Sequence, residues 1–349
     1  MNFLLSNYSP FRTSFKSFSD VFYEYFSKST QVDIAVGYVT ADSLAELHKL
    51  AEVNEKRIIN LIIGMHYYDQ FSQNEYNAAM KLNKFLRNEN RGEVRLVTPF
   101  KFHGKLYSYS KDGQPIAGII GSDNLSSITD SKTKAYEASV LLDDGDSARE
   151  MNSIIKNLVA SSTDNIDALV IENFKKGSSP LENQEHVEKL SDNDRLKYMA
   201  ARTDLKFNIP LKTAEKSNLN AFFGEGRKSS NGLIKPRHWY ETEVIVSKAI
   251  TSQVGYPGSR ETAGSFDVIT DDGWKFKCYV GGTNNKNFRS DGDLKILGRW
   301  LKGRLEEKGA LQSGEPVIEE TFRQYGRDNF SMTKTTFPNV WYLDFGVEK

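Results

Sequence analysis

The feature that most limits the fold is a change of rhythm in the first half of the chain. Two strand-and-helix units come first, and then four strands follow in quick succession. "QVDIAVGYVT" (31–40) is β-branched and apolar with no helical period, and it runs into "ADSLAELHKLAEVNEK". There Asp42 and Ser43 offer caps, and Leu44, Leu47, Leu50 and Ala51 make a helical stripe. "RIINLIIG" (57–64) reads as a second buried strand and "NEYNAAMKLNKFLRN" as its helix. "EVRLVTP", "HGKLYSYS", "PIAGIIGS" and "AYEASVLL" then supply the four short strands. Strands alternating with helices, followed by adjacent strands, predict an α/β (α+β) layered domain with a mixed sheet.

A chain of 349 residues exceeds one ordinary core, so a second domain is expected. Residues 149–175 read as helical, and "KKGSSPLENQEHVEKLSDND" (175–194) is polar with little to bury. Beyond it "LKFNIPL", "EVIVS", "SFDVIT", "WKFKCYV" and "VWYLDF" are short strands between Gly- and Asn-rich loops, the texture of a small, mainly β barrel. One helix interrupts them, with Leu294, Leu297, Leu301 and Leu305 on one face. The expected division is 1–175, a linker over 176–205, and 206–349. Trp274, Trp300 and Trp341 lie on periodic segments and are expected in the core.

Composition narrows the classes. Basic and acidic residues balance at 46 each, so any nucleic-acid surface must be a local patch. Cys278 is the only cysteine, which excludes an intrachain disulfide and a thiolate zinc site from this chain alone. The N-terminus lacks a secretory pattern, the run "RIINLIIGMHYY" falls short of a membrane span, and mean hydropathy is −0.53. A soluble, cytoplasmic protein is expected.

The chemistry concentrates in residues 102–126, "FHGKLYSYSKDGQPIAGIIGSDNLS". On a strand, His103, Lys105, Tyr107 and Tyr109 share one face. An imidazole is a candidate nucleophile, and an ammonium beside it neutralises phosphate oxygens. Gly121 lets backbone approach a ligand, while Ser122 and Asn124 offer neutral hydrogen bonds. Glu137 is an acid in an apolar strand, costly unless paired, and the far nitrogen of His103 is a natural partner. Alone, a His-x-Lys is more often a solvated strand face, Gly-Ser-x-Asn a turn, and a glutamate a surface residue. The three in order, each on its own strand, favour the site. His66 is a lesser candidate for its rim. No acidic cluster suggests Mg²⁺, and neither a metal nor a cofactor is expected.

The order "HGKLY…GIIGSDNLSS…YEASVLL" resembles the phospholipase D superfamily signature. The usual Asp five residues after the Lys is Ser110 here, with Asp112 nearby. The whole chain resembles the restriction endonucleases of the BfiI and NgoFVII group, which tolerate that absence and carry a C-terminal DNA-binding pseudobarrel of the plant B-three type. The resemblance implies a metal-independent, site-specific deoxyribonuclease working through a phosphohistidine. His103 would attack phosphorus, Lys105, Asn124 and Ser122 would hold the phosphate, and Glu137 would orient His103. His48, His66, His186 and His238 have no lysine at +2, so the chain holds half a site. A homodimer would join two halves. Double-stranded DNA is the expected substrate and a DNA methyltransferase the expected companion, with no membrane partner.

Two acid-free basic stretches are candidates for that group's DNA-gripping arms. One holds Arg227, Lys228, Ser229, Asn231, Lys235, Arg237 and His238; the other holds Lys275, Lys277, Asn284, Asn285, Lys286, Asn287 and Arg289. Rival readings are another phospholipase D-type enzyme, acting on lipid or unspecific nucleic acid, and a catalytically silent DNA-binding regulator. A lipid enzyme would want membrane-facing amphipathic segments, and only the leucine-faced helix comes near that.

Overall fold

The structure, a computed structural model, describes residues 2–129 and 132–347. The chain divides into two compact units. One runs up to Gly177 and also takes in Gly226–Pro236; the other takes Ser178–Glu225 and the chain from Arg237 onward.

In the first unit the elements are β1 (Asn2–Leu5), α1 (Phe18–Lys28), β2 (Gln31–Val36), α2 (Ala41–Val53), β3 (Ile58–Ile63), α3 (His66–Asp69) and α4 (Gln73–Asn88). β4 (Gly92–Val97), β5 (Lys105–Lys111), β6 (Gln114–Gly121), β7 (Ala138–Leu142), α5 (Gly145–Ser162) and β8 (Thr163–Asn165) follow. The strands form a mixed sheet in the order β1-β7-β6-β5-β2-β3-β4-β8. β2, β3 and β4 run parallel, and β5 pairs antiparallel with β2 on its other side.

Alternation along the strands splits the core into two layers. Val32, Ile34, Val36, Ile59, Leu61 and Ile63 pack with apolar residues of α1, α2 and α4. Ala35, Ile62, Val97 and Leu106 pack with Met151, Ile155 and Leu158 of α5. Helix starts follow local chemistry: Ser17, Thr40 and Ser72 each cap a helix with a reciprocal capping box. Among the described residues no helix is long and apolar enough to cross a membrane.

The second unit is a curled, mainly β half-barrel. Its strands are β9 (Glu188–Lys189) and β10 (Arg202–Pro210), then, after the excursion to the first unit, β13 (Val244–Ile245), β14 (Phe266–Thr270), β15 (Trp274–Gly281), β16 (Asn287–Ser290), β17 (Asn329–Thr335) and β18 (Val340–Asp344). Numbers β11 (Arg227–Lys228) and β12 (Ile234–Lys235) belong to that excursion, a separate two-stranded hairpin. The half-barrel order is β10-β17-β18-β14-β15-β16-β13, with β14 parallel to β18 and β9 attached to β15. Trp274, Trp300 and Trp341 are buried, as their periodic settings predict.

Two departures from the sequence-based expectations have local causes. The segment after Gly177 is not a free linker. Leu181 and Val187 are buried, β9 pairs with β15, and Asp192–Ala200 is helical, so the polar stretch packs through sparse apolar anchors. The hairpin β11–β12 is part of the first unit rather than an arm of the barrel. Asn54, just past α2, donates to Ile234 O at 2.9 Å and accepts from Ile234 N at 3.0 Å, as a neighbouring strand would. Leu233, 4% exposed, joins the core beside α1 and α2. Leu233→Ala is therefore expected to destabilise the first unit by about 2–4 kcal/mol, from lost burial plus the cavity left behind. Urea unfolding followed by a probe in the first unit checks this.

Candidate active site

The first unit's sheet has a reversal in its chain path. From β2 the chain moves outward through β3 and β4, then returns to place β5 on the other side of β2. Ligands of open α/β sheets gather beyond the carboxyl ends of strands at such a switch point. The residues in question lie at that edge. Lys105 opens β5 opposite Val36, the last residue of β2, and Gly121 closes β6.

His103 is not within the strand. β5 begins at Lys105, and residues 98–104 cross the ends of β2 and β3, held where Phe102 N–H donates to Gly64 O at 3.0 Å. Close approach demands glycine beneath. A Cβ on Gly64 would lie 2.0 Å from Phe102 O, and one on Gly37 would lie 2.9 Å from His103 Cδ2. The two strand-end glycines form the bed on which the His103 loop rests. They stand in "AVGYV" and "IIGMH", a signal visible in the sequence that the motif reading passed over.

His103 is exposed, whereas Lys105 is 7% exposed. Lys105 Nζ donates to His103 O at 2.8 Å, leaving further N–H bonds for an anion. Burial pushes the Lys105 ammonium below its usual range, and the charge of Glu137 pulls the other way. The Glu137 carboxyl makes no hydrogen bond to His103; its backbone is stitched to Ser6, whose hydroxyl accepts from Glu137 N–H at 2.8 Å.

The Gly121–Asn124 loop is fastened from below. Tyr107 OH donates to Asp123 O at 2.9 Å, and Ser139 Oγ donates to Asp123 Oδ2 at 2.5 Å. Burial pushes the Asp123 carboxyl up. The Ser122 hydroxyl accepts from Ala138 N–H at 3.0 Å, next to Glu137. Asn124 Oδ1 accepts from Tyr38 N–H at 3.0 Å, and the Tyr38 ring stands edge-on to His103 with centroids 5.6 Å apart. The edge thus brings together His103, Lys105, Asn124, Ser122 and Glu137, with Tyr38 among them.

Ser110 and Asp112 stand at the far end of β5. Ser110 pairs with Gln31, the first residue of β2, and Asp112 N–H donates to Thr30 Oγ1 at 2.8 Å. His66 is buried and structural. Its Nε2 accepts from Val39 N–H at 3.2 Å, its Nδ1 faces Gln70 O at 3.1 Å, and its ring stacks on Phe71 at 4.3 Å. Among the described residues no cluster of His, Cys, Asp or Glu could hold a metal ion.

The two basic stretches are placed differently from each other. On the hairpin, Arg227 and Lys228 are exposed. Lys235 caps the ring of Tyr23 at 4.4 Å, and Asn231 donates to Ser27 Oγ at 2.7 Å. Ser229 bonds to Asn231 and to Leu233 O. These side chains serve the hairpin's own seat on the first unit. Just beyond, Arg237 pairs with Glu241 at 2.6 Å, and buried His238 accepts from Tyr240 N–H at 2.9 Å.

In the half-barrel, alternation along β15 turns Lys275, Lys277 and Tyr279 outward while Phe276, Cys278 and Val280 are buried. Acids distant in sequence meet this face: Glu188 lies 3.6 Å from Lys275, and Glu243 pairs with Arg289. Lys277, Asn284 and Lys286 are exposed. Asn284 and Asn285 have positive φ, 59° and 54°, and with Gly282 at 70° they make the tight turn between β15 and β16. Asn285 and Asn287 are half-buried in it.

Comparison with known families now bears on this edge and this half-barrel. Residues 16–171 match the NgoFVII restriction endonuclease N-terminal PLD domain, and residues 197–336 match the NgoFVII C-terminal B3-like DNA-binding domain. The chain belongs to the NgoFVII restriction endonuclease family. It joins a phospholipase D-like nuclease domain to a B3-like DNA-binding domain, and the matched segments together span most of its length. No curated protein matches it. Among solved structures, TrmBL2, an archaeal chromatin protein whose structure shows a novel mode of DNA binding, aligns with a TM-score of 0.29 and 9% identity. That alignment covers 46% of this chain and 53% of the other, about half its length, a likeness too slight to carry an argument.

Proposed function

We propose that this NgoFVII-family chain is a type II restriction endonuclease that cuts DNA near a specific sequence, without metal, through an active site completed by two subunits. A nitrogen of one subunit's His103 attacks phosphorus. A P–N bond forms, the bond to the leaving strand breaks, and the partner subunit's His103 gives its proton to the departing oxygen. Water then attacks, the partner subunit's His103 takes up its proton, and the P–N bond breaks with its electron pair returning to the imidazole. Lys105 and Asn124 hold the non-bridging oxygens, with Ser122 at the loop edge. The charge of Glu137 favours the charged form of Lys105 against the effect of its burial.

The observation that carries this reading is the pairing of exposed His103 with buried Lys105 at the switch-point edge, bonded through Lys105 Nζ. One His-x-Lys per chain supports the two-fold site, because acid and nucleophile must be separate groups. The outward Lys277 and Lys286 with Asn284 are the half-barrel's candidate DNA contacts, and Arg227 and Lys228 are candidate phosphate contacts on the nuclease unit. A companion methyltransferase would protect the host's own sites.

Plasmid incubated with the protein in EDTA tests this. Discrete fragments are expected. A smear would point to an unspecific nuclease, and cleavage that needs added Mg²⁺ would overturn the two-histidine chemistry.

A further inference from the structure

A nucleophilic imidazole must hold one rotation through two successive displacements, and something has to fix that rotation. Glu137, the expected orienting group, does not bond to His103. Several contacts converge instead on Tyr38, at the end of β2. Its ring meets the His103 ring at 5.6 Å with the planes 76° apart. Its N–H donates to Asn124 Oδ1 at 3.0 Å. Its hydroxyl donates to Asp69 Oδ2 at 2.6 Å, and Asp69 Oδ1 takes Lys101 Nζ at 2.5 Å. Lys101 is two residues before His103, so Lys101, Asp69, Tyr38 and His103 close a ring of contacts around the loop. On its other side Tyr38 meets the His66 ring at 5.5 Å, and the bonds to Val39 and Gln70 hold that ring in turn.

We infer that Tyr38 is a positioning residue for the reaction, setting the rotation of the His103 imidazole and the place of Asn124 together. The inference rests on His103 being the nucleophile. Two loops separated by some twenty residues are keyed to one residue, His103 to the Tyr38 ring and Asn124 to the Tyr38 backbone N–H. The Asp69–Lys101 link ties the Tyr38 side chain to the backbone that carries His103. His66 acts as the fixed wall behind Tyr38, which accounts for a buried histidine near the site that does no chemistry itself.

Single-turnover cleavage of a cognate duplex and its dissociation constant test this with Tyr38→Ala, Tyr38→Phe, Asp69→Ala and His103→Ala. Tyr38→Ala should slow cleavage on the order of tenfold to a hundredfold, with DNA affinity unchanged. Both variants keep the backbone bond to Asn124, and Tyr38→Phe, which also keeps the ring against His103, should restore most of the rate. Asp69→Ala, which cuts the half-buried link between the Tyr38 hydroxyl and Lys101, should fall between them. Tyr38→Ala cutting at the parental rate, while His103→Ala is inactive, would overturn the inference and leave the mechanism standing. Loss of affinity equal to loss of rate would overturn it too. His103→Ala cutting normally would sink the mechanism itself. If Tyr38→Ala does not fold, Asp69→Ala decides, and its cutting at the parental rate rejects the inference.

Discussion

His103→Ala is expected to slow single-turnover DNA cleavage by at least about 10,000-fold while leaving DNA affinity within about twofold. The substitution removes the attacking nitrogen from one half of the proposed site and the proton donor from the other half at once. Groups that act as a unit lose their whole contribution when one is removed, so no partial activity should remain. Affinity should survive because the B3-like DNA-binding domain and the phosphate-holding groups Lys105 and Asn124 are untouched. Mixing His103→Ala protein with parental protein sharpens the test. With a shared site, only dimers of two parental chains cut, and activity falls as the square of the parental fraction. A linear fall would mean that each chain works alone.

The largest stability effect is expected in the half-barrel, at Glu306 on the helix Lys295–Glu307. Glu306 is half-buried, and its carboxylate accepts three hydrogen bonds: from Trp239 Nε1 at 2.8 Å, Tyr240 OH at 2.7 Å and Ser313 Oγ at 2.7 Å. Burial pushes this carboxyl up, and the three donors draw it back. One turn earlier lies Lys302, fully buried, whose Nζ donates to Trp239 O at 2.6 Å and sits 3.7 Å from the centre of the Trp239 ring. Burial pushes its ammonium down to about 7. Glu306→Ala takes the acceptor from three interior donors and removes the negative charge facing Lys302. The expected cost is about 3–5 kcal/mol, the size seen when one partner of a buried ionic set is removed. Lys302→Met should cost far less, because it also relieves a desolvated ammonium. Chemical denaturation of both variants checks the asymmetry, and equal losses would show that the lysine, not the carboxylate, organises the cluster.

The sequence carried most of the layered fold and its motif, because both are written in local signals. Period-2 and helical patterns mark β2, α2, β3 and α4, and His-x-Lys with Gly-Ser-x-Asn marks the edge. What it could not carry were relations between distant residues. "GRKSSNGLIKPRHWY" reads as a basic arm, since nothing local says that Leu233 joins the core beside α1 and α2 or that Asn54 pairs with Ile234. The stretch around Lys275 and Arg289 holds no acid in sequence, yet Glu188 and Glu243 reach it in space. Glu137 and His103 are both titratable and in motif order, and nothing local shows that the Glu137 charge also acts on Lys105. Tyr38 carries no motif at all and is found only through its contacts.

The hairpin has a consequence for how such a protein can be recombined. The polypeptide passes from one unit to the other at three places, after Gly177, after Glu225 and after Pro236. Cutting the gene at the first of these and grafting on another reader would discard Leu233, a piece of the cleaving half's own interior. The exchangeable module is therefore discontinuous, and a working chimera must carry the eleven residues Gly226–Pro236 along with the catalytic half.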